Sequence, residues 1–256
     1  MGAFKNWNDY GVFAQEIARQ RRYIRTARSE EFLRAVAATC GVRAIAIQKD
    51  KLFWRAQLGN DWDTPEGSPG FEQAVCFSPK RMKPLSERAF EGRVNPKGIP
   101  CLYLSTTKQA AMSEVRPWVG AMVSVAQFKT VRTLTLVNCS LLHDKYFNLL
   151  LDRKFGEPMP PEKIDQIVWA AIDRAFADPV TRADDEAEYA ATQTIADLFR
   201  SQGYDGVAYK SAFGDDGFSL ALFDLNAAKQ VNGLLFETKK IDFSFDESGN
   251  PYFITE

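Results

Sequence analysis

The spacing of apolar residues predicts two helices near the start of the chain. The first has an apolar side that consists of Val12, Phe13, Ile17 and Ile24. The second is predicted to begin with Ser29 as N-cap and to end at Gly41, because acidic residues fill its first turn and glycine favours a helix end. Its apolar stripe consists of Phe32, Leu33, Val36, Ala37 and Cys40.

Two further helices are predicted in the second half of the chain. One begins at Pro161 and ends before Pro179, with apolar residues at every third or fourth position. The other covers roughly residues 186–201 and is followed by Gly203, which favours a helix end. Its inward side is predicted to consist of Tyr189, Ile195, Leu198 and Phe199.

Short apolar or alternating runs predict strands between these helices. The predicted strands are 44–48, 52–57, CLYL at 101–104, MVSVAQF, TLTLV, GVAYKS and FSLALFD, and a hairpin is predicted to turn at 248–250. In the second strand, alternation places Arg55 and Phe53 on one face. In CLYL it places Tyr103 on the face opposite the two leucines. Residues 59–84 are rich in turn residues, so they are predicted to form an insertion or a loop rather than a regular element.

A short helix is predicted after CLYL, and it carries a single acid. Thr106 and Gln109 have the spacing of a capping box, and Pro117 stops the helix. Glu114 lies three and four positions after two alanines, so it shares a helix face with small residues. Such a face can approach another surface closely. A solvent-exposed glutamate would not require small neighbours on its helix face.

Composition and charge narrow the class of protein. The chain has 256 residues, 45% of them apolar and 25% charged, which is typical of a globular protein. The formal net charge of −1 provides no overall field for nucleic acid or an anionic membrane, so direct binding to either is not expected. Five arginines between positions 19 and 28 are interpreted as a solvated helix face. No membrane-length apolar run and no secretory signal is recognised, so a cytoplasmic location is expected.

Several common kinds of catalytic site are not supported by the sequence. The four cysteines are scattered without a CxxC pair, so we expect reduced, mostly buried thiols and no metal site. His143 is the single histidine, and it is interpreted as a structural or surface residue. Neither GxGxxG after a strand nor GxxxxGK[ST] occurs. A nucleotide remains possible, because arginines can also bind a pyrophosphate.

Two separated segments resemble the RES-domain family. They are GRVNPKGIPCLYLSTTKQAAMSEVRP at 92–117 and YAATQTIADLFRSQGYDGVAYKSAFGDDGFSLALFD at 189–224, and the likeness spans roughly residues 52–224. The resemblance implies an α+β fold like that of ADP-ribosyltransferases, with a split mixed β-sheet, surrounding helices and a cleft for NAD⁺. It also implies a toxin that consumes NAD⁺, in some relatives by phosphorolysis, and that is neutralised by a helix-turn-helix (Xre-type) antitoxin.

The same resemblance gives roles to five residues. Glu114 would stabilise the ribose as it acquires positive charge, and Arg93 and Arg55 would hold phosphate oxygens. Tyr103 would stack on or orient the nicotinamide end, and Ser211 would donate a hydrogen bond to the substrate. The catalytic set is thus Glu114, Arg93, Tyr103 and Ser211, and the NAD⁺-binding set is Arg55, Arg93, Tyr103 and Ser211.

The chemistry of NAD⁺ cleavage agrees with a site that lacks histidine and metal. Nicotinamide leaves as a neutral base from a cationic substrate, so no general acid is needed. The reaction instead requires stabilisation of an oxocarbenium-like ribose, which glycosidases achieve with a carboxylate. NAD⁺ is therefore expected as a substrate rather than a bound cofactor, with inorganic phosphate as a possible second substrate.

Domain limits and alternative functions complete the sequence-based expectations. We expect an N-terminal helical extension at 1–48, a catalytic domain at 49–225 and a C-terminal β extension at 226–256 packed on that domain.

The leading function is NAD⁺ phosphorylase or glycohydrolase. One alternative is an ADP-ribosyltransferase that modifies a protein or nucleic acid, and another is a catalytically silent module that binds nucleotide or antitoxin. Ala56 follows Arg55 where some relatives carry an aromatic residue, so substrate orientation there can differ.

Overall fold

Helices and strands alternate irregularly along the chain. The computed structural model describes residues 2–67, 70–85, 89–152, 157–178, 186–213 and 217–242, together with 244, 245 and 249. The helices are α1 (Asp9–Arg19), α2 (Ala27–Thr39), α3 (Pro79–Met82), α4 (Lys108–Glu114), α5 (Tyr146–Leu151), α6 (Pro161–Ala177) and α7 (Ala190–Ser201), with short 3₁₀ turns at Cys40–Arg43 and Glu186–Tyr189. The strands are β1 (Ala44–Ile47), β2 (Leu52–Leu58), β3 (Asp61–Asp63), β4 (Gln73–Val75), β5 (Leu102–Ser105), β6 (Met122–Thr130), β7 (Leu134–Cys139), β8 (Gly206–Lys210), β9 (Phe218–Leu222), β10 (Ala228–Gln230) and β11 (Leu234–Glu237).

Within the described residues, nine strands form one mixed sheet. Its order is β1-β7-β8-β9-β5-β2-β6-β10, and β11 also pairs with β6. The β7–β8 pair is parallel, and the other neighbours in this sheet are antiparallel. β3 and β4 form a separate two-stranded sheet. The expected α+β architecture, a mixed sheet surrounded by helices, is confirmed.

The sheet is split between β2 and β5. These strands share one register pair, Trp54 with Ser105, whereas β2 pairs with β6 along its whole length, from Leu52 opposite Lys129 to Leu58 opposite Val123. Two strands that separate after a single pair leave a gap in the sheet, and the candidate active site lies at this gap.

Hydrophobic clusters cover both faces of the sheet. Helices α1, α2, α6 and α7 bury one face together with residues such as Val137 and Val207. Phe53, Leu102 and Leu104 belong to a second cluster on the opposite face. The predicted alternation in CLYL is therefore confirmed, because Tyr103 packs against the helix-covered face and the two leucines do not.

A buried ion pair connects the segment after α2 to helix α6. Arg43 Nη2 donates to Asp173 Oδ2 at 2.7 Å, and both side chains are almost completely buried. Leu142 N also donates to the same carboxylate oxygen at 2.8 Å. The Arg43 guanidinium lies 4.2 Å from the centroid of the Trp169 ring, which adds a cation–π contact. The N-terminal helices are thus joined to α6 by polar contacts as well as by apolar packing.

Two predicted helix caps are wrong by a few residues. The N-cap of α2 is Thr26, whose Oγ1 accepts from Ser29 N at 3.3 Å, because the Ser29 hydroxyl instead donates to Glu16 Oε2 at 2.9 Å. α4 begins after Thr107, whose Oγ1 accepts from Ala110 N at 3.1 Å. Thr106 Oγ1 instead accepts from Phe218 N at 3.0 Å. In both places a nearby threonine acts as the cap, three positions before the predicted residue in α2 and one position after it in α4.

Other expectations for local structure have mixed outcomes. Ile24 is not part of the first helix, which ends at Arg19, and its side chain is 82% exposed. The 59–84 connection contains β3, β4 and α3, so its prediction as a segment without regular elements is wrong. These elements are only three or four residues long, too short to produce a periodic pattern. The hairpin predicted at 248–250 lies outside the described residues, apart from residue 249.

The cysteines and the helix lengths bear on two further expectations, reduced thiols and the lack of a membrane span. All four cysteines are free, and three of them are buried. Among the described residues, no helix combines the length and the apolar character that a membrane span needs. The proposed division into extension, catalytic domain and C-terminal segment stays a prediction, although β10 and β11 complete the same sheet as β2.

Candidate active site

A cavity of about 1280 Å³ lies at the gap between β2 and β5. Its walls come from these two strands, from helix α4 and from residues within 77–85 and 89–95. Trp54 and Ser105, the single register pair of the two strands, both line it. The volume exceeds the range of roughly 300–1,000 Å³ that is common for ligand pockets, so a dinucleotide can be accommodated.

Glu114 projects into this cavity from the last residue of α4. Its Oε1 accepts from Ser211 Oγ at 2.9 Å and from Ser219 Oγ at 3.3 Å. Oε2 receives no hydrogen bond from any described residue. One oxygen is therefore fixed by two hydroxyls, and the other is free to face a ligand.

The close approach of α4 to the β8–β9 connection explains the small residues beside Glu114. Ala110 and Ala111 are buried. A Cβ placed on Gly217 would lie 2.8 Å from Ala110 Cβ, which is well inside ordinary contact. A larger residue at either position would move the helix away and would separate Glu114 from its two serines.

Tyr103 uses its hydroxyl to hold the turn that precedes β5. The hydroxyl donates to Asn95 Oδ1 at 2.7 Å and accepts from Val94 N at 3.1 Å. Burial raises the pKa of the Tyr103 hydroxyl well above its usual value, so it stays protonated. Tyr103 lines the cavity, and with its hydroxyl engaged in these two bonds it can offer its ring to a ligand.

Helix α7 fixes the same turn from the other side. Thr192 Oγ1 donates to Arg93 O at 2.7 Å. Gln193 Nε2 lies within hydrogen-bond distance of Glu91 Oε1 at 2.8 Å and of the carbonyls of Gly92 and Asn95 at 2.9 and 3.2 Å. These contacts account for the Thr-Gln pair that is part of the family resemblance, because they make the turn a rigid wall of the cavity.

Arg55 lines the cavity, but much of its guanidinium is engaged with protein atoms. Its Nε donates to Met82 O at 2.7 Å and its Nη1 donates to Tyr103 O at 3.0 Å. With the Gln57 amide oriented to satisfy both of its ends, Gln57 Oε1 accepts from Arg55 Nη2 at 3.2 Å. Burial lowers the pKa of Arg55 to about 10, so the side chain remains charged at neutral pH.

Arg93 points toward the end of α6. Its Nη1 donates to the carbonyls of Phe176 and Ala177 at 2.6 and 3.2 Å, and its Nη2 donates to Asp178 O at 3.1 Å. These carbonyls belong to the C-terminal turn of a helix, where a positive charge is stabilising. Arg93 is not among the described residues that line the cavity. Its role in binding phosphate stays a prediction.

Comparison with known families identifies the chain. The family model described as the RES domain matches residues 72–246, which is more than half of the chain. The chain belongs to the RES-domain family. The matched range contains Arg93, Tyr103, Glu114 and Ser211, whereas Arg55 lies before it. It also extends beyond the 52–224 span of the resemblance at its C-terminal end.

Comparisons with individual proteins add one solved structure, the crystal structure of the M.tuberculosis MbcT-MbcA toxin-antitoxin complex. A chain of that complex is similar to this RES-domain chain at 14% sequence identity and a TM-score of 0.42. The similarity covers 79% of this chain and 92% of the other. No curated protein matches the chain.

The structure brings some of the predicted site residues of this RES domain together. Glu114 and Ser211 are hydrogen-bonded, and Tyr103 and Arg55 line the same cavity, whereas Arg93 faces α6. Sequence reasoning missed Ser219, the second hydroxyl on Glu114. A polar residue in the otherwise apolar strand FSLAL was the available signal.

Arg81 is a second residue that sequence reasoning missed. It lines the cavity from α3, inside the connection that was predicted to lack regular elements. The available signal was the basic cluster PKRMK, which stands between turn residues.

The single histidine is not among the described residues that line the cavity. His143 Nδ1 lies 3.0 Å from Ser140 O. In the part of the chain that the structure describes, no group of three or more His, Cys, Asp or Glu side chains could hold a metal ion. Among the described residues, Glu114, its two serines and the cationic residues of the wall offer charge and hydrogen bonds to a substrate.

Proposed function

We propose that this RES-domain chain is an NAD⁺-consuming enzyme that cleaves the nicotinamide–ribose bond and transfers ADP-ribose to phosphate or water. The proposal rests on membership of the RES-domain family, whose resemblance implies NAD⁺ as substrate, and on a cavity large enough for a dinucleotide. The observation that carries it is Glu114, a carboxylate that lines the cavity, with Oε1 fixed by Ser211 and Oε2 without a hydrogen bond from the described residues.

This arrangement suits a reaction that develops positive charge on a sugar. The bond between nicotinamide N1 and ribose C1′ breaks, and its electron pair leaves with the neutral nicotinamide. The negative charge of Glu114 stabilises the resulting oxocarbenium-like ribose, and the fixed geometry means that little reorganisation is needed. An oxygen of phosphate or water then forms the new bond to C1′. In the case of water, its proton passes to Glu114 or to solvent.

The two serines control which oxygen of Glu114 is available. Because both hydroxyls donate to Oε1, they hold the carboxylate plane and leave Oε2 for the ribose. A ribose hydroxyl or the developing cation can contact Oε2. The ring of Tyr103, which lines the same cavity, can stack against the nicotinamide end.

Product analysis with a matched variant tests the proposal. NAD⁺ is incubated with the wild-type chain and with Glu114→Gln, with and without inorganic phosphate, and products are separated by mass-resolved chromatography. We expect nicotinamide release that falls by about a hundredfold or more in the variant, as happens when a transition-state charge partner is removed. Phosphate-dependent ADP-ribose phosphate identifies a phosphorylase, and free ADP-ribose identifies a glycohydrolase.

Other outcomes of this experiment favour the alternatives. Labelled ADP-ribose on a protein or nucleic acid, with little free product, would identify a transferase. Binding of NAD⁺ without any nicotinamide release by the wild-type chain would overturn the enzymatic proposal and favour a silent binding module. Equal turnover by wild type and Glu114→Gln would remove the role given to this acid.

We also propose that the chain acts as the toxin of a toxin–antitoxin pair, with a helix-turn-helix antitoxin as its partner. Family membership supports this part, since the RES-domain resemblance implies such a role. Induced expression of the chain alone should then lower cellular NAD⁺ and stop growth, and Glu114→Gln should abolish both effects. Unimpaired growth and NAD⁺ levels on wild-type expression would contradict it.

A further inference from the structure

The cavity wall carries an arginine whose charge is not engaged by any carboxylate among the described residues. Arg81 lies on the short helix α3, its side chain is exposed, and it lines the cavity. Its guanidinium lies 4.6 Å from the centroid of the Phe77 ring, which restrains the plane of the group without neutralising it. Lys83, two residues later, lines the same cavity.

The position of these two cations is fixed by the residue between them. Met82 is completely buried, and its carbonyl accepts from Arg55 Nε at 2.7 Å. With the Gln57 amide oriented so that both of its ends form hydrogen bonds, Gln57 Nε2 donates to Arg81 O at 2.7 Å. Both contacts hold the backbone of α3 against β2, so Arg81 and Lys83 are presented from a rigid support.

The two arginines to which the family resemblance gives phosphate binding are engaged with protein atoms. Arg55 donates to Met82 O, Tyr103 O and the Gln57 amide, and Arg93 donates to three carbonyls at the end of α6. Lys83 Nζ has one described partner, Asn226 Oδ1 at 3.2 Å, and an ammonium group has three donors. Among the arginines of the described cavity wall, Arg81 is the one whose planar guanidinium remains for bidentate binding of phosphate oxygens.

We propose that Arg81, assisted by Lys83, forms the phosphate-binding site of this cavity and binds the pyrophosphate of the dinucleotide. The inference rests on the proposed function, since it names the residues that would hold the substrate while Glu114 acts on the ribose. A free phosphate ion presents the same oxygens, so the test separates the two sources.

The test uses Arg81→Gln with Lys80→Gln as its matched control. Both variants remove one positive charge from α3, but Lys80 is not among the cavity residues. Binding of ADP-ribose and of inorganic pyrophosphate is measured by calorimetry, and the KM for inorganic phosphate is measured in the turnover assay. We expect Arg81→Gln to weaken ADP-ribose binding by about tenfold to a hundredfold, and Lys80→Gln to change it by less than about twofold.

The possible results distinguish failure of the phosphate site at Arg81 from failure of the proposed NAD⁺-consuming function. A raised KM for phosphate with unchanged ADP-ribose binding would assign the site to free phosphate. Equal behaviour of Arg81→Gln and Lys80→Gln in every assay, with wild type binding ADP-ribose normally, overturns the inference and leaves the proposed function intact. If wild type releases no nicotinamide from NAD⁺, the proposed function fails, and pyrophosphate binding that is lost in Arg81→Gln would still support a phosphate site.

A conservative variant separates phosphate binding from a structural role. Arg81→Lys keeps the charge and loses the planar fork, so we expect it to restore part of the affinity lost in Arg81→Gln. All three variants should unfold at the same denaturant concentration as wild type. A lowered unfolding midpoint in Arg81→Gln, without weaker ligand binding, would place Arg81 in the scaffold and contradict the proposal.

Discussion

Ser211 Oγ donates to Glu114 Oε1 over 2.9 Å and thereby joins the end of strand β8 to the last residue of helix α4. Ser219 reaches the same oxygen from β9 at 3.3 Å. The carboxylate is thus oriented by two strands that lie on one side of the split, while β2 and α3 supply the cationic wall on the other. Because the hydrogen bond from Ser211 is the shorter one, we expect Ser211 to contribute more than Ser219 to the orientation of the carboxylate.

Replacement of Ser211 should reduce turnover more than replacement of Ser219. Ser211→Ala removes the shorter hydrogen bond, so we expect the kcat for nicotinamide release to fall by about tenfold, and Ser219→Ala to lower it by about threefold. The Kd for ADP-ribose should change little in either variant, because the serines orient Glu114 rather than bind phosphate. A larger loss in Ser219→Ala than in Ser211→Ala would contradict the ranking, and Ser113→Ala on the same helix serves as a control.

Replacement of Arg93 should lower stability. Arg93→Gln removes donors to three carbonyls at the end of α6, and we expect the free energy of unfolding to fall by roughly 1–3 kcal/mol. Urea unfolding measures this change, and Arg21→Gln provides a control at an exposed arginine. The Kd for ADP-ribose of the same variant decides the phosphate-binding prediction, since an unchanged value would limit Arg93 to a structural role. An unchanged unfolding free energy would contradict the helix-capping function.

The long, periodic elements could be predicted from the sequence, and the short ones could not. Helix α6 and strands β6 and β7 carry enough apolar residues to define a period, and their limits agree with the prediction to within one or two residues. α3 has four residues and owes its place to buried Met82 and to Arg55, a contact between positions far apart in sequence. No local pattern encodes such a contact, so the cavity wall that carries Arg81 was missed.

The candidate site was predictable only where a local motif carries its chemistry. Glu114 stood out as a single acid beside small residues, and the close approach of Gly217 to Ala110 is the physical reason for those residues. The target of Arg93 was not predictable, because it lies at the end of a helix more than eighty residues away. The sequence shows that Arg93 carries a positive charge, and only the tertiary structure shows which groups this charge contacts.

Gly92 should not tolerate a side chain while Tyr103 keeps its hydroxyl. A Cβ on Gly92 would lie 2.7 Å from Tyr103 Oη and 2.9 Å from Asn95 Oδ1, two atoms that are hydrogen-bonded to each other. We expect Gly92→Ala to lower the free energy of unfolding by about 1–3 kcal/mol. Because Tyr103→Phe removes one of the two clashing atoms, the double variant should lose less than the sum of the single losses. If the loss of unfolding free energy in the double variant equals the sum of the two single losses, the predicted clash with the Tyr103 hydroxyl is contradicted.

Glu16 should make the stability of the N-terminal helices depend on pH. It is a buried residue that accepts from Thr26 N at 3.2 Å, and from Thr26 Oγ1 and Ser29 Oγ at 2.9 Å each. Burial acts to raise the pKa of Glu16, but these hydrogen bonds to the charged carboxylate outweigh it and lower the pKa below its usual value of 4.5. The folded chain therefore holds the ionised form more strongly than the unfolded chain does.

The sign of this shift sets the expected pH profile. A lowered folded-state pKa contributes stability above the unfolded pKa, and that stability is lost as the pH falls through the folded-state value. Glu16→Gln should thus lower the free energy of unfolding by about 1–3 kcal/mol at neutral pH, and the difference from wild type should shrink toward about pH 3. Urea unfolding of both proteins across this range measures the difference, with exposed Glu66→Gln as a control. A difference that stays constant with pH would mean that the charge of Glu16 does not contribute, because only the hydrogen-bonding geometry would then have changed.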